Sequence, residues 1–264
     1  MEKGQPVVIG QPSVIGQPVH QPQSLPQMTA PMPGAPPMLS DDLSLQIRQG
    51  FVRKVMLIVT CQLIVTTLIS LPFLLNKDEM IRWRAENPQV YMMCLMGVIG
   101  VIGVMCCCPD KMRQFPTNYI ILSVFTVAEG VMVGMFTLMF NSESVVMAFG
   151  ITCAVTFGLM MFAMQTKYDF TGSGSYLFAG LLCLVLFGFL FMFFPHSETM
   201  MKVYAGGGAL LFSMYLVYDM QLIIGGKHKK NQFSVDDYCF AALNLYMDII
   251  QLFIYFLMLF GDRN

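Results

Sequence analysis

Long apolar runs separated by short polar stretches set the pattern of this chain after residue 50. A helix needs about 20 mostly apolar residues to cross the roughly 30 Å of hydrocarbon in a bilayer. Seven segments reach that length, and the short connections predict that consecutive helices are antiparallel neighbours. The segments are Val55–Leu75, Tyr91–Cys108, Tyr119–Phe140, Val145–Met164, Tyr176–Phe194, Val203–Ile224 and Tyr238–Phe260. The pattern predicts an all-α integral membrane protein, with a seven-transmembrane-helix bundle over residues 51–264.

The first 50 residues follow a different pattern. Most of the 14 prolines lie there, and Gly-Gln-Pro recurs at residues 4, 10 and 16. Proline fixes φ and removes a backbone donor, which opposes both helix and sheet. We therefore expect a disordered Pro/Gln/Gly-rich tail over residues 1–50, and its composition is not that of a signal peptide. Two interpretations stay open: a docking segment for Pro-binding modules, or a plain flexible extension.

The distribution of Lys and Arg predicts the orientation. Ten of the 15 basic residues fall in the tail and on its side of the predicted spans, and five fall on the other side. Basic residues are enriched in cytosolic loops. The N-terminus is therefore expected in the cytosol. With seven full spans, the C-terminus is expected in a lumen or outside.

Composition narrows the class of protein. Apolar residues make up 56% of the chain and charged residues 12%, about half the charged share of a soluble domain. The net charge of −1 provides no basic field for nucleic acid. The lipid bilayer is thus the predicted partner, and nucleic acid is not.

The cysteines follow the membrane segments. All eight lie in the predicted spans or at their edges, and none lies in an external loop where a disulfide would be useful. Cys106, Cys107 and Cys108 lie together at the cytosolic end of the second span. Juxtamembrane cysteines of this kind are either S-acylation sites or inert packing residues.

Three ionisable residues lie well inside the predicted spans: Glu129, Asp219 and Asp248. A charged, unpaired residue at the bilayer centre costs at least about 2.5–3.5 kcal/mol. No Lys or Arg lies deep enough to neutralise them, so they must be protonated, share protons or hold a cation. All three fall between the cytosolic interface and the midplane. We interpret them as the lining of an ion or proton path.

Other polar residues lie within one helical turn of the three acids, on the same helix faces. They are Asn244 and Gln251 beside Asp248, Tyr215 before Asp219, and Thr126 before Glu129. Together with the acids they form a predicted polar seam in an apolar bundle.

Several stretches resemble one known family. Residues Tyr218–Lys229 and Asp236–Phe253 are similar to the last part of the Bax-inhibitor/lifeguard superfamily, the transmembrane Bax inhibitor motif family. Phe125–Gly130 resembles its third-helix motif, and Phe51–Val55 resembles the start of its first helix. The resemblance covers about residues 50–262, and the Pro-rich tail is similar to that of the lifeguard branch.

The resemblance implies a seven-helix bundle with its last helix at the centre. It further implies a pH-sensitive calcium leak, or regulation of intracellular calcium stores, and protection from apoptosis. Asp219 and Asp248 match the pH-sensing pair, and Glu129 matches the acid of the third-helix motif. Because calcium prefers carboxylate and carbonyl oxygens, these three acids are the predicted transient calcium ligands, and no other cofactor is expected. In some bacterial members a basic residue on helix two latches the closed state, but nothing between Tyr91 and Cys107 is basic here.

The same resemblance also implies in which membranes the protein resides and which partners it has. The protein should reside in endoplasmic reticulum, Golgi or endolysosomal membranes, or in the plasma membrane, and its partners should be calcium, protons and apoptosis regulators or other calcium channels. A receptor with an external N-terminus and a retinal protein are excluded by orientation and by the lack of Lys in span seven. An enzyme is not expected, because the three His residues lie in the tail or loops. The remaining alternative is a membrane scaffold that modulates death receptors or other channels through its tail and cytosolic loops.

Overall fold

The computed structural model describes residues 37–194, 197–225 and 229–263, with side chains from residue 43 onwards except at 192. The helices are α1 Pro37–Leu75, α2 Lys77–Glu86, α3 Pro88–Cys107, α4 Thr117–Thr137, α5 Ser142–Gln165, α6 Gly174–Phe193, α7 Glu198–Ile224 and α8 Tyr238–Phe260. Two short 3₁₀ helices, Pro109–Met112 and Val235–Asp237, precede α4 and α8. Among the described residues, seven helices are long and apolar enough to cross a membrane, and α2 is not one of them. The predicted all-α, seven-span fold is confirmed.

The start of the first helix differs from the sequence prediction. The chain divides into two units, with the boundary between Asp42 and Leu43. Helix α1 begins at Pro37, so residues 37–50 are helical where we predicted a disordered tail. From Met38 to Leu71 no proline interrupts the helical pattern, which explains the earlier start. The rest of the predicted tail, residues 1–36 with the Gly-Gln-Pro repeats, lies outside the described residues.

The short helix α2 was not predicted. Its sequence is polar, and none of its residues is buried. Asp78 and Glu79 lie in its first turn and Arg84 in its last, so the charges at both ends interact favourably with the helix dipole and stabilise the helix. The polar connection after the first span is therefore an ordered helix.

Helix α8 lies at the centre of the bundle, where it packs against α4, α5 and α7. Leu245, Leu252 and Leu257 on α8 are fully buried. Tyr255 stacks on Phe212 of α7, with ring centroids 5.7 Å apart. By contrast, Val101 is the one buried residue of α3. The helix that carries Asp248 is thus the most enclosed of the chain's membrane helices.

Three glycines lie directly against a side chain of a neighbouring helix. A Cβ added at Gly208 of α7 would lie 2.5 Å from the Tyr255 ring. On α4, a Cβ at Gly130 would lie 3.2 Å from Ile69, and one at Gly134 would lie 2.5 Å from the Phe73 ring. These glycines therefore bring α7 against α8 and α4 against α1, which is packing within one bundle.

Hydrogen bonds define the two ends of the bundle. At one end, Arg48 of α1 contacts the last turn of α7; we call this the Arg48 end. At the other, the Asn141 amide donates to the Asp262 carbonyl at 3.0 Å, and the Asp262 amide donates to Ser144 Oγ at 3.0 Å. We call this the Phe140 end, because Phe140 also forms a backbone bridge with Arg263 there.

Candidate functional site

Two acidic side chains meet between α7 and α8. Asp219 and Asp248 are both buried, with 5% of each residue exposed. Their carboxyl groups form a side-chain hydrogen bond, for which one of the two must carry the proton. The Oδ2 atom of Asp248 is buried and has no hydrogen-bond partner in the described part of the chain. The site is thus a carboxyl pair with unused capacity to bind a proton or a cation.

The position of the pair follows from the helix ends. Asp219 lies five residues before the end of α7, and Asp248 lies ten residues after the start of α8. At 1.5 Å per residue, these positions are about 8 Å and 15 Å from the Arg48 end. Tyr215, one turn before Asp219, interacts electrostatically with both carboxyl groups. Asn244 is half-buried one turn before Asp248.

Glu129 lies in a different place. It is buried on α4 and lines a cavity of about 590 Å³, together with Gln251 of α8 and Arg84 of α2. Asp219 and Asp248 do not line this cavity. Within the described residues, no group of three or more His, Cys, Asp or Glu side chains is arranged to hold a metal ion. The structure therefore brings the two aspartates together but does not add Glu129 to them as a third calcium ligand.

A second polar cluster joins α1 to α4 and α8. Gln62 Nε2 donates to Thr126 Oγ1 at 3.0 Å, and the hydroxyl groups of Thr66 and Tyr246 are hydrogen-bonded at 2.7 Å. Glu129 interacts electrostatically with Tyr246. The Oε1 atom of Gln62 is buried without a partner in the described structure. Polar residues near the middle of the bundle are therefore in two groups, one around the aspartate pair and one around Tyr246 and Glu129.

Sequence reasoning missed Gln62, Thr66 and Tyr246. Gln62 and Thr66 are four residues apart on the first span, so they share a helix face. That spacing was the available signal. The polar seam predicted from the sequence is therefore two separate groups in the structure. Thr126 and Gln251 lie in the group with Glu129, whereas Tyr215 lies in the group with the two aspartates.

Arg48 holds the end of the helix that carries Asp219. Its guanidinium group donates to the carbonyl oxygens of Ile224 at 3.0 Å, Leu222 at 2.6 Å and Phe233 at 2.7 Å. The last carbonyls of a helix have no partner within it, so a side-chain donor satisfies them. A basic residue of α1, rather than of the second membrane helix, thus fixes the end of α7.

The loop between α5 and α6 is also attached to this end of α7. Gln221, fully buried two residues after Asp219, donates to the Tyr168 carbonyl at 2.9 Å and accepts from the Phe170 amide at 2.8 Å. Hydrogen bonds from the Thr171 hydroxyl and the Lys230 backbone lower the pKa of Asp169. Because the pKa of Asp169 is lowered, the stability that its hydrogen bonds contribute is fully present at neutral pH. That stability is lost as pH falls through the lowered pKa.

The cysteines at the end of α3 are accessible. Cys106, Cys107 and Cys108 are exposed, and none of the eight cysteines forms a disulfide. Cys106 and Cys107 end α3, and Cys108 caps it. Their exposure is compatible with S-acylation, which stays a prediction.

Comparison with known proteins assigns the family. The sequence profile described as "Inhibitor of apoptosis-promoting Bax1" matches residues 48–264. The chain belongs to this Bax-inhibitor family. The predicted resemblance is thereby confirmed, and the family match begins at Arg48.

Individual members of the Bax-inhibitor family are similar over most of the chain. Protein lifeguard 3 of Homo sapiens is 33% identical over 222 residues, which are 83% of this chain and 70% of that protein. Protein lifeguard 3 of Mus musculus is 31% identical, over 83% of this chain and 71% of its own length. Protein lifeguard 4 of Mus musculus is 36% identical over 214 residues, which are 81% of this chain and 85% of that protein. The chain is thus a multi-span membrane protein of an apoptosis-inhibitor family with relatives in the lifeguard branch.

Proposed function

We propose that this Bax-inhibitor family member is a pH-sensitive calcium leak, or a regulator of intracellular calcium stores, that protects cells from apoptosis. The observation that supports this proposal is the buried, hydrogen-bonded pair of Asp219 and Asp248. A carboxyl pair in an apolar bundle has few structural uses and binds protons and cations by its chemistry.

Electrostatics explains how such a pair responds to pH. Two carboxyl groups at close range in a low-dielectric site cannot both ionise at low cost, so they titrate as one unit. No Lys or Arg occurs in α8, or in α7 after Lys202, to neutralise the pair. With one shared proton, the hydrogen bond ties α7 to α8. With both groups ionised, the helices repel each other unless a cation enters between them.

We propose that a cation passes through the bundle by way of the two polar groups. An ion that leaves the aspartates would pass the hydroxyl groups of Tyr246 and Thr66 and then reach the cavity with Glu129. That cavity also contains Arg84 of α2, so it lies towards the Phe140 end. The route runs from the Arg48 end, which we place in the cytosol, to a lumen at the Phe140 end.

Calcium and protons should compete for the same oxygens. Calcium coordinates carboxylate and carbonyl oxygens. A proton shared by Asp219 and Asp248 occupies one of these positions. The calcium concentration that gives half-maximal flux should therefore rise as pH falls.

Purified protein in liposomes loaded with a calcium dye tests the proposal. We expect calcium flux above that of protein-free liposomes, with a half-saturating calcium concentration that rises as pH is lowered. A chain without residues 1–36, which precede α1, should keep this flux. Flux no greater than in empty liposomes at any pH would contradict a leak in this chain, and a protective effect in cells that requires residues 1–36 would favour the scaffold instead.

A further inference from the structure

Three consecutive cysteines, Cys106, Cys107 and Cys108, lie where α3 ends; we call them the cysteine cluster. The first two are the last residues of α3, and the third caps it. Arg113, five residues after Cys108, forms an ion pair with Asp237 just before α8, with Nε 2.7 Å from Oδ1. Because α8 begins at the Arg48 end, this ion pair places the cluster at that end of the bundle. A polar 3₁₀ helix follows the cluster directly, so the cluster lies at the boundary between the membrane and water.

Exposure and depth together distinguish the cysteine cluster, whose members are all exposed, from the other five cysteines. Cys153 and Cys183 are exposed too, but both lie at least about 13 Å from either end of their helices, near the middle of the membrane. Cys239 lies in the first turn of α8, at the Arg48 end, but it is fully buried. Cys61 and Cys94 lie within the apolar stretches of α1 and α3. The structure describes all eight cysteines, and only the cluster combines exposure with a place at the Arg48 end.

A disulfide and a metal site do not account for the cluster. None of the eight cysteines forms a disulfide, and no group of three His, Cys, Asp or Glu side chains in the described residues is arranged to hold a metal ion. An exposed thiol at a membrane surface can instead react with a long-chain acyl-coenzyme A. Its sulfur attacks the acyl carbonyl carbon and forms a thioester, the carbon–sulfur bond to coenzyme A breaks, and coenzyme A leaves as a thiol with the cysteine proton. Near the middle of the membrane this reaction is excluded, because coenzyme A is highly charged.

The faces of α3 distinguish the members of the cluster from one another. Val101 is the one buried residue of this helix, so it marks the side that packs on the bundle. Because successive helix residues are turned by about 100°, Cys106 and Cys107 are about 120–140° away from Val101. Cys106 lies on the same face as Ile99, which is 52% exposed. Cys108 follows Val101 by seven residues and is therefore on the side of the bundle.

We propose that Cys106 and Cys107 carry long-chain acyl groups in thioester linkage, which hold the end of α3 in the cytosolic leaflet. Packing alone holds this helix weakly, because only one of its 20 residues is buried. Each methylene group of an acyl chain that enters the bilayer adds a favourable transfer free energy, so two chains fix the end of the helix at the membrane surface. The proposal rests on the orientation in which the Arg48 end faces the cytosol, and it does not depend on the proposed calcium flux.

Acyl exchange on the full-length protein from cells tests the proposal. Free thiols are blocked with N-ethylmaleimide, thioesters are cleaved with hydroxylamine, and the released thiols are coupled to a maleimide polymer that adds one mass step for each cysteine. We expect up to two steps in the wild-type protein, which disappear when hydroxylamine is left out. The absence of any hydroxylamine-dependent step in the wild-type protein would overturn the proposal.

Serine variants of the cluster assign the acylated positions. Cys106→Ser and Cys107→Ser should each lose one of the two mass steps, and the double variant should lose both. Cys108→Ser should keep both steps, because that position lies on the side of the bundle. Steps that persist in the double variant, or that are lost in Cys108→Ser, would contradict the assignment.

Two control variants separate the effect of exposure from that of depth. Cys183→Ser removes an exposed cysteine in the middle of α6, and Cys239→Ser removes a buried cysteine at the Arg48 end. Neither variant should change the number of mass steps. Gel filtration checks that each variant is folded. A step lost in folded Cys183→Ser or Cys239→Ser would show that acylation does not follow exposure and depth, and it would overturn the proposal.

Discussion

At the scale of single residues, neighbouring polar groups on α8 serve different helices. Asp248 bonds Asp219 of α7, and Tyr246, two residues earlier, bonds Thr66 of α1. Tyr246 is fully buried, and 4% of Thr66 is exposed. The buried hydroxyl pair therefore joins α1 to the central helix.

Removing one member of the hydroxyl pair should destabilise the bundle. Tyr246→Phe leaves the Thr66 hydroxyl without its partner on another helix, which we expect to lower the free energy of unfolding by about 1 kcal/mol. Thr66→Val should have a similar effect. Because the double variant removes both partners, it should cost no more than either single variant in denaturant titrations in detergent. Additive losses would show that the two hydroxyl groups act independently.

The site residues that could be recognised in the sequence were the charged ones. Single acids stand out in apolar spans, so Glu129, Asp219 and Asp248 could be selected from the sequence alone. Thr66 and Gln62 do not stand out in this way. Their four-residue spacing is a weak signal, because neutral polar residues are common in membrane helices and satisfy themselves within a helix, as Thr67 does with the Leu63 carbonyl. Nor could the separation of Glu129 from the aspartates be predicted, because it depends on how the helices are rotated.

At the scale of helices, the approach of α7 to α8 depends on Gly208. The ring of Tyr255 occupies the space where a Cβ at Gly208 would lie. Phe212 and Tyr204 pack against that ring, with centroids at 5.7 and 5.9 Å, so it has little room to move. The same two helices carry Asp219 and Asp248, so this contact helps to set their separation.

A methyl group at Gly208 should push these helices apart. Gly208→Ala is expected to destabilise the protein by about 1–3 kcal/mol, the usual cost of overpacking. Gly207→Ala is the matched control, because a Cβ there meets nothing within 4 Å. Thermal unfolding in detergent measures both, and equal melting temperatures for the two variants would contradict the role of Gly208.

The end of α7 depends on the guanidinium group of Arg48. Lysine has a single ammonium group and cannot reproduce the planar fork that reaches Ile224, Leu222 and Phe233. Arg48→Lys should therefore loosen the end of α7, and hydrogen exchange of its last amides should accelerate by about tenfold, as expected for about 1.4 kcal/mol. Arg53→Lys, an exposed position on the same helix, should change nothing. Unchanged exchange in Arg48→Lys would show that other contacts hold this end.

The seven membrane helices could be predicted from the sequence, but some of the helix ends could not. Apolar length alone determines whether a segment spans a bilayer, so all seven spans could be found. Polar helices have no such signal, which is why α2 and the first turns of α1 were predicted as loop and tail. The contacts of Arg48 with Leu222 and Phe233 join residues more than 170 positions apart and leave no local pattern.

At the scale of the whole molecule, the proposed calcium route requires a defined orientation of the bundle in the membrane. The Arg48 end carries most of the basic residues, which predicts that it faces the cytosol. Accessibility tags at the N-terminus and in the loop 225–234 should both be cytosolic, and a tag after Asn264 should be on the opposite side. A cytosolic tag after Asn264 would contradict seven full spans.

The central claim is that Asp219 and Asp248 act as one pH-sensing unit, and calcium flux of variants in liposomes tests it most directly. Asp219→Asn and Asp248→Asn should each flatten the dependence of flux on pH, because either change removes the shared proton site. The double variant should add little to either single variant. Asp78→Asn, at an exposed position on α2, is the control and should keep the wild-type profile. Single variants that keep the wild-type pH profile, or effects that add fully in the double variant, would contradict the claim.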